Sequence, residues 1–276
     1  MWRQTRVPRR FYSFKVPLKR VPACPEPEID TGCTYCQIPT FPKNKQLDHT
    51  KPIAHTKSNP WKHLIVLSGD PDYKNWPSRF ETSPGTIISE IQAHKRKVLD
   101  PFHPVLTSMT TLQEQPTAEG NTVIGIYPDG LRVEVAPDKV EEFLIGYLST
   151  IPDNLDEEDS RLVAKMQEDF RAQFPAQKLD QDLVLICGHL KRDVRCGELA
   201  PLILKEFEEV LKLHGVESTK LGIISHIGGH VYAGNVLIFK RNGDVIWYGR
   251  VLPHHVQGIV KLTLLENKLI EELYRG

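Results

Sequence analysis

The chain has 276 residues, longer than one typical domain, so two domains are expected. Apolar residues make up 40% and charged residues 25%, the balance of an ordinary globular protein. No run approaches the roughly 18 apolar residues that a membrane-spanning helix needs, and five cysteines are too few and too unevenly placed for a disulfide-stapled secreted domain.

The formal net charge of zero hides an asymmetry. Residues 1–20 carry seven Lys or Arg and no acid, interleaved with Trp2, Phe11, Tyr12 and Phe14. That composition reads as a mitochondrial presequence, although Pro8 and Pro17 would interrupt a long amphipathic helix. A basic arm for nucleic acid or anionic lipid is the alternative. Without these twenty residues, 28 basic side chains face 35 acidic ones. A body of that sign argues against a nucleic-acid partner, because phosphate contacts need clustered Lys and Arg.

Residues 21–60 are rich in Pro, Lys, Thr and His without an apolar period, and read as an extended lead-in. They hold Cys24, Cys33 and Cys36. A Cys-x-x-Cys pair is a redox dithiol, half of a metal site, or simply two thiols in a loose leader. His49 or His55 could supply a fourth ligand.

The first strand is expected at 63–70, where a short apolar run ends in a turn signal. A short helix follows over 87–97, with Ile87, Ile88 and Ile91 on one face. The runs 122–127 and 131–135 flank Pro-Asp-Gly and predict a hairpin. Asp138, with Glu141 placed for a capping box, should open a helix through Leu148. Residues 61–150 thus form a small α/β domain. The charged tract 151–180, with a polar helix-like segment ending near Phe174, reads as the connector.

Over 181–276 the pattern is cleaner. A buried strand ends at Cys187, a helical face runs from Leu199 to His214 with Gly215 as its stop, and a second strand over 220–225 leads into His226. Two further strands, 235–239 and 244–248, flank Asn242-Gly243, a strong hairpin signal. A helix from about Val256 to Tyr274 should close the chain. The order β-α-β-β-β-α, with its first βαβ unit parallel, is a thioredoxin-like layout. The overall expectation is an α/β protein: a thioredoxin-like domain over 181–276, preceded by a smaller α/β domain that could be a second, degenerate unit of the same kind.

That layout brings the carboxyl ends of the two parallel strands to one sheet edge. Cys187 and His226 lie at those ends. Cys196 should return toward Cys187 through the 188–195 loop, and His230 follows His226 in one short loop with Gly228 and Gly229 between them. Two Cys and two His on converging loops suit a metal centre. His189 is the rival ligand; His254 and His255 read as capping or surface residues. Zinc and a [2Fe–2S] cluster both fit the donor set. Eight residues between the cysteines make a wider embrace than zinc fingers use, which favours the larger inorganic centre. Imidazole ligation of one iron would raise the potential, as in Rieske centres.

Four pieces, Cys187-x8-Cys196-Gly, His226-Ile-Gly-Gly-His230, Tyr232-Ala-Gly-Asn235 and Trp247-Tyr-Gly-Arg250, resemble the thioredoxin-like ferredoxins of the sucrase/ferredoxin-like family. The resemblance implies a [2Fe–2S] cluster on Cys187, Cys196, His226 and His230. It implies electron transfer in mitochondrial redox quality control, with protein redox partners, a reductase or thiol proteins, and the matrix rather than the intermembrane space as the compartment. Plant-type relatives use four cysteines; His226 and His230 depart from that pattern, so a very low potential does not follow. The readings from other classes are a structural zinc module and a thiol–disulfide oxidoreductase using Cys33 and Cys36. No nucleophile–base pair or phosphate-cradling Gly motif argues for hydrolytic or nucleotide chemistry.

Overall fold

Strand-forming runs rich in Val, Ile and Leu build two main sheets in the computed structural model, which describes residues 17–276. In the first half the order is β2 (Lys62–Val66), α1 (Ile87–Val98), β3 (Val105–Ser108), β4 (Thr122–Tyr127), β5 (Leu131–Val135) and α2 (Val140–Leu148). β2 pairs in parallel with β3 and antiparallel with β4, which pairs antiparallel with β5. In the second half β7 (Asp182–Cys187), α4 (Val194–Leu213), β8 (Thr219–Ile224), β9 (Val236–Phe239) and β10 (Val245–Tyr248) repeat that plan. β7 lies parallel to β8 and antiparallel to β9, with β10 outermost. The α/β class is as expected, and both sheets run in the same strand order and directions.

The sheets share one continuous apolar core. Residues just past β3 reach across to β8: Thr110 bridges Ile224, and the Ser225 and Met109 backbones are joined at 2.8 Å. The first half therefore braces the strand that delivers His226.

Four details differ from the sequence reading. No capping box forms at Asp138, because Pro137 opens a 3-10 turn over Pro137–Lys139 and the α-helix begins one residue later. Glu141 instead faces His94, with 2.8 Å between Oε2 and Nδ1. The 151–180 tract is more than a connector. Asp156 caps α3 (Glu157–Ala172) by accepting from the Asp159 amide, and β6 (Gln177–Lys178) extends the first sheet beside β5. Arg171 ties α3 to α2 by donating to the Gly146 carbonyl at 2.8 Å.

The helix after Cys187 starts earlier than its apolar face suggested. Asp193 caps it and Val194 opens it, so Cys196 sits in its first turn rather than in the preceding loop. Finally, no helix runs to Tyr274. One α turn (Val256–Gly258) widens into a π-helical stretch (Ile259–Leu265), and Asn267, at φ 52°, stops it in the left-handed conformation. The chain then becomes β11 (Lys268–Ile270), which pairs in parallel with β1 (Lys19–Val21). Leu269 and Ile270 are both fully buried, as adjacent residues clamped between layers are. The presequence expected over 1–20 lies mostly outside the described residues, but Lys19 and Arg20 belong to this pairing. Among the described residues no helix is long and apolar enough to cross a membrane.

Candidate metal centre

The last residue of β7 is Cys187, and its position is set from both sides. Its amide donates to the Asn235 carbonyl at 2.9 Å, and the next amide, of Gly188, donates to the Ile224 carbonyl at 3.1 Å. Its side chain is buried, as is that of Cys196. Asp193 sets the second cysteine. Its carboxylate accepts from the Arg195 amide at the start of α4 and grips the Arg195 guanidinium through two bonds of 2.9 Å. A bidentate, buried pair of this kind fixes the helix start tightly, and the third residue of that helix is Cys196.

The two buried thiols shift each other's ionisation in opposite directions. Cys187 is held well below the usual thiol pKa because Cys196 donates to it, with the His226 ring and the His189 amide adding to the effect against burial. Cys196 is pushed well above the usual value, first by keeping the proton it shares with Cys187 and then by burial. A thiolate is the form that binds metal, so the direction of this shift suits Cys187 to ligation.

The two imidazoles lie outward of the thiols. His226 follows the end of β8 and is half-buried, whereas His230 is exposed. Their ring centroids are 5.9 Å apart with planes inclined at 30°. Gly229, at φ 71°, turns the chain between them. A Cβ at this position would lie 2.2 Å from Arg275 Nη2, so the loop needs both the left-handed conformation and the missing side chain.

His189, the rival ligand, has both ring nitrogens engaged. Its Nδ1 accepts from the His226 amide at 3.2 Å, so the proton sits on Nε2, which donates to the Pro77 carbonyl at 2.8 Å. Burial lowers its pKa, in keeping with a neutral ring. Trp76 packs edge-on against it with centroids 5.8 Å apart. His189 positions the His226 loop. His255 likewise accepts from the Leu252 amide at 3.0 Å and closes a turn, as a capping histidine does.

Arg275 was not visible in the sequence as a site residue. Its side chain is 1% exposed, directly under the His226–His230 loop. The guanidinium donates to Thr56 O and Asn235 Oδ1 at 2.7 Å, to Thr56 Oγ1 at 3.2 Å and to Gly228 O at 3.5 Å. It also lies over the rings of Tyr232, at 5.1 Å, and Trp247, at 5.7 Å. All four hydrogen-bond acceptors are uncharged. Burial lowers its pKa, and the influence of Cys187, Tyr232 and Cys196 opposes the effect. No sequence signal points to a penultimate arginine as part of this site.

The amino-terminal cysteines lie elsewhere. Cys33 and Cys36 are adjacent, with their sulfurs 2.7 Å apart. Cys24 stands apart from them, its thiol donating to His255 O at 3.4 Å and raised to about 12 by burial. Among the described residues no three His, Cys, Asp or Glu side chains already stand in the arrangement of a single bound metal ion. The donor set nonetheless fits a dinuclear iron–sulfur group by its chemistry: two buried cysteines inside, two imidazoles outside, and a buried arginine beneath.

The family model for sucrase/ferredoxin-like proteins matches residues 53–276. Relatives that match along most of the chain carry the name altered inheritance of mitochondria protein 32. The protein of Meyerozyma guilliermondii is 41% identical, with 93% of this chain and 94% of that protein aligned. That of Clavispora lusitaniae is 40% identical over 92% and 94%. That of Saccharomyces cerevisiae is 29% identical over 89% and 87%. No solved structure matches the chain.

Proposed function

We propose that this chain, which belongs to the sucrase/ferredoxin-like family, is a mitochondrial electron-transfer protein that holds a [2Fe–2S] cluster on Cys187, Cys196, His226 and His230. The relatives' name supports the mitochondrial setting, and the basic amino terminus supports the matrix. A role in redox quality control, with thiol proteins or a reductase as partners, extends the same reading.

The observation that carries it is the graded burial of the four side chains: two thiols sealed in the core, His226 half-buried and His230 exposed. When bound, a cluster of this type supplies reversible one-electron transfer at a potential raised by imidazole ligation. The protein's own residues do the rest. Cys187 is buried at the end of its strand with its pKa held low, Asp193 and Arg195 fix the helix that presents Cys196, and His189 fixes the loop that presents His226. The imidazole side is the side open to a partner protein, and electron exchange between proteins needs such an approach.

The test is electron paramagnetic resonance on anaerobically purified, dithionite-reduced protein, beside His226→Cys and His230→Cys. A rhombic signal of low average g that changes in both variants is expected. A colourless, spin-silent protein containing stoichiometric zinc would replace this reading with a structural zinc module.

A further inference from the structure

The Cys33–Cys36 turn is separate from the four proposed ligands, and it is built rather than loose. Gly32, at φ 87°, starts it, and the Cys36 amide donates to the Cys33 carbonyl at 3.0 Å, which turns both side chains to one side. The turn is pinned to α4. Thr34 Oγ1 donates to Glu206 Oε1 at 2.8 Å, Thr31 Oγ1 donates to the other oxygen of that carboxylate, and the Cys33 thiol points at Leu202 O, 3.7 Å away. Glu206 is fully buried in the middle of α4, so a polar anchor has been placed inside the core to hold this turn. Leu202 lies six residues past Cys196, roughly 9 Å along the helix at about 1.5 Å per residue.

Within the turn the sulfurs are 2.7 Å apart, and a disulfide needs about 2.05 Å, so a small change of side-chain torsion closes the bond. The two thiols are unequal. Cys33 is 0% exposed and its pKa is raised to about 12, chiefly by burial. Cys36 reaches the surface, beside Tyr35, which is 64% exposed and projects into solvent. One accessible sulfur backed by one sequestered sulfur is the division that dithiol exchange requires.

We propose that Cys33 and Cys36 are a thiol–disulfide exchange site that takes an accessible disulfide as its substrate, with Cys36 as the attacking and Cys33 as the resolving thiol. The Cys36 thiolate attacks one substrate sulfur. The S–S bond of the substrate breaks, one thiolate leaves, and a mixed disulfide forms at Cys36. Cys33 then passes its proton to the first released substrate thiolate, attacks Cys36 Sγ and expels the second substrate thiolate, which takes a proton from water. Two electrons pass from the dithiol to the substrate, which ends as two thiols, while the protein ends with a Cys33–Cys36 disulfide. The inference goes beyond the electron-transfer reading and does not depend on it.

The test treats the full chain with two probes, oxidised glutathione and disulfide-bonded insulin, followed by acid trapping, alkylation and peptide mass mapping. In the unsubstituted protein the expected product is a Cys33–Cys36 disulfide with no retained adduct. Cys33→Ser should hold the probe on Cys36, and Cys36→Ser should leave Cys33 free. Insulin held by Cys33→Ser assigns protein disulfides as the substrate; glutathione held alone assigns the small disulfide. Both cysteines staying alkylatable in the unsubstituted protein would overturn the proposal, as would an adduct on Cys33 in Cys36→Ser. The first of these outcomes needs no variant, so it survives a variant that fails to fold. Visible absorbance of the same samples reports the metal centre separately, so failure there and failure here are distinguishable.

Discussion

Replacing Arg275 separates a structural peg from an electrostatic one. In Arg275→Met the aliphatic volume stays, but Asn235 Oδ1 and Thr56 O lose donors that lay 2.7 Å away. Stranding a buried acceptor costs about 1–3 kcal/mol. Losing the cation over the Tyr232 and Trp247 rings costs up to about 2 kcal/mol more. Against this, removing a buried charge returns several kcal/mol of desolvation. Two stranded acceptors at about 2 kcal/mol each and about 2 kcal/mol of cation–ring contact, less about 3 kcal/mol of recovered desolvation, leave a loss of about 3 kcal/mol. At roughly 2–4 °C per kcal/mol for a chain of this size class, the melting temperature should fall by about 6–12 °C. Arg275→Lys keeps the charge but cannot span acceptors on both sides of the loop, so it should recover only part of the loss. Differential scanning calorimetry reads the first quantity. The second is the reduction potential of the loaded protein, which should fall in Arg275→Met because a buried cation favours the added electron, and recover partly in Arg275→Lys. An unchanged melting temperature and an unchanged potential together would refute the reasoning. A lowered melting temperature with an unchanged potential would leave Arg275 as a peg only.

Three further outcomes follow from the same geometry. Gly229→Ala should cost about 2 kcal/mol through its left-handed backbone, with additional strain from a Cβ meeting Arg275, and should reduce iron incorporation, measured by metal analysis after anaerobic purification. Burial holds the His63 pKa near 3 against an ordinary 6.5. Above pH 6.5 both folded and unfolded chains leave this ring neutral; below it only the unfolded chain takes the proton. Stability from this residue is therefore lost as pH falls, by about 2 kcal/mol between pH 7 and pH 5, and urea melts of His63→Gln should lose that share of the slope. Deleting residues through Val21 should lower the melting temperature relative to deletion through residue 16, since only the first removes the strand paired with Lys268–Ile270; equal values would count against that pairing.

Much of the site was legible because strand burial is a local signal. The runs Asp182–Cys187 and Thr219–Ile224 are apolar, short and closed by polar loops, so the first could be placed to the residue and the second to within one, and with them Cys187 and His226. The start of α4 was not legible. Gly197 and Pro201 are poor helix formers and mask the first turns, whereas the Asp193 cap that stabilises them works through Arg195, two residues away. The end of the chain misled for a different reason. Ile259 through Leu264 has helical apolar density, but the fate of Lys268–Ile270 is decided by Lys19–Val21 at the far end of the sequence. No local period encodes a partner some 250 positions away. The same holds for His189, whose tautomer depends on a carbonyl at Pro77.

These long-range partners change what the four-ligand motif means. Taken alone, Cys187, Cys196, His226 and His230 could be grafted onto any parallel βαβ edge. Here three of the four are held by a group outside the motif, Cys187 by Asn235, Cys196 by the Asp193 cap and His226 by His189, and Gly229 before His230 packs on Arg275. Two of those supports are themselves fixed by the first half of the chain, His189 by Pro77 and Arg275 by Thr56. Ligand geometry for a redox centre must hold through a change of charge, and rigid support of the ligands is what limits reorganisation. On the proposed ligation, the first half has a physical role at the centre without supplying a ligand. It anchors the side chains that keep the imidazole loop in place, while leaving His230 open to whatever approaches from solution.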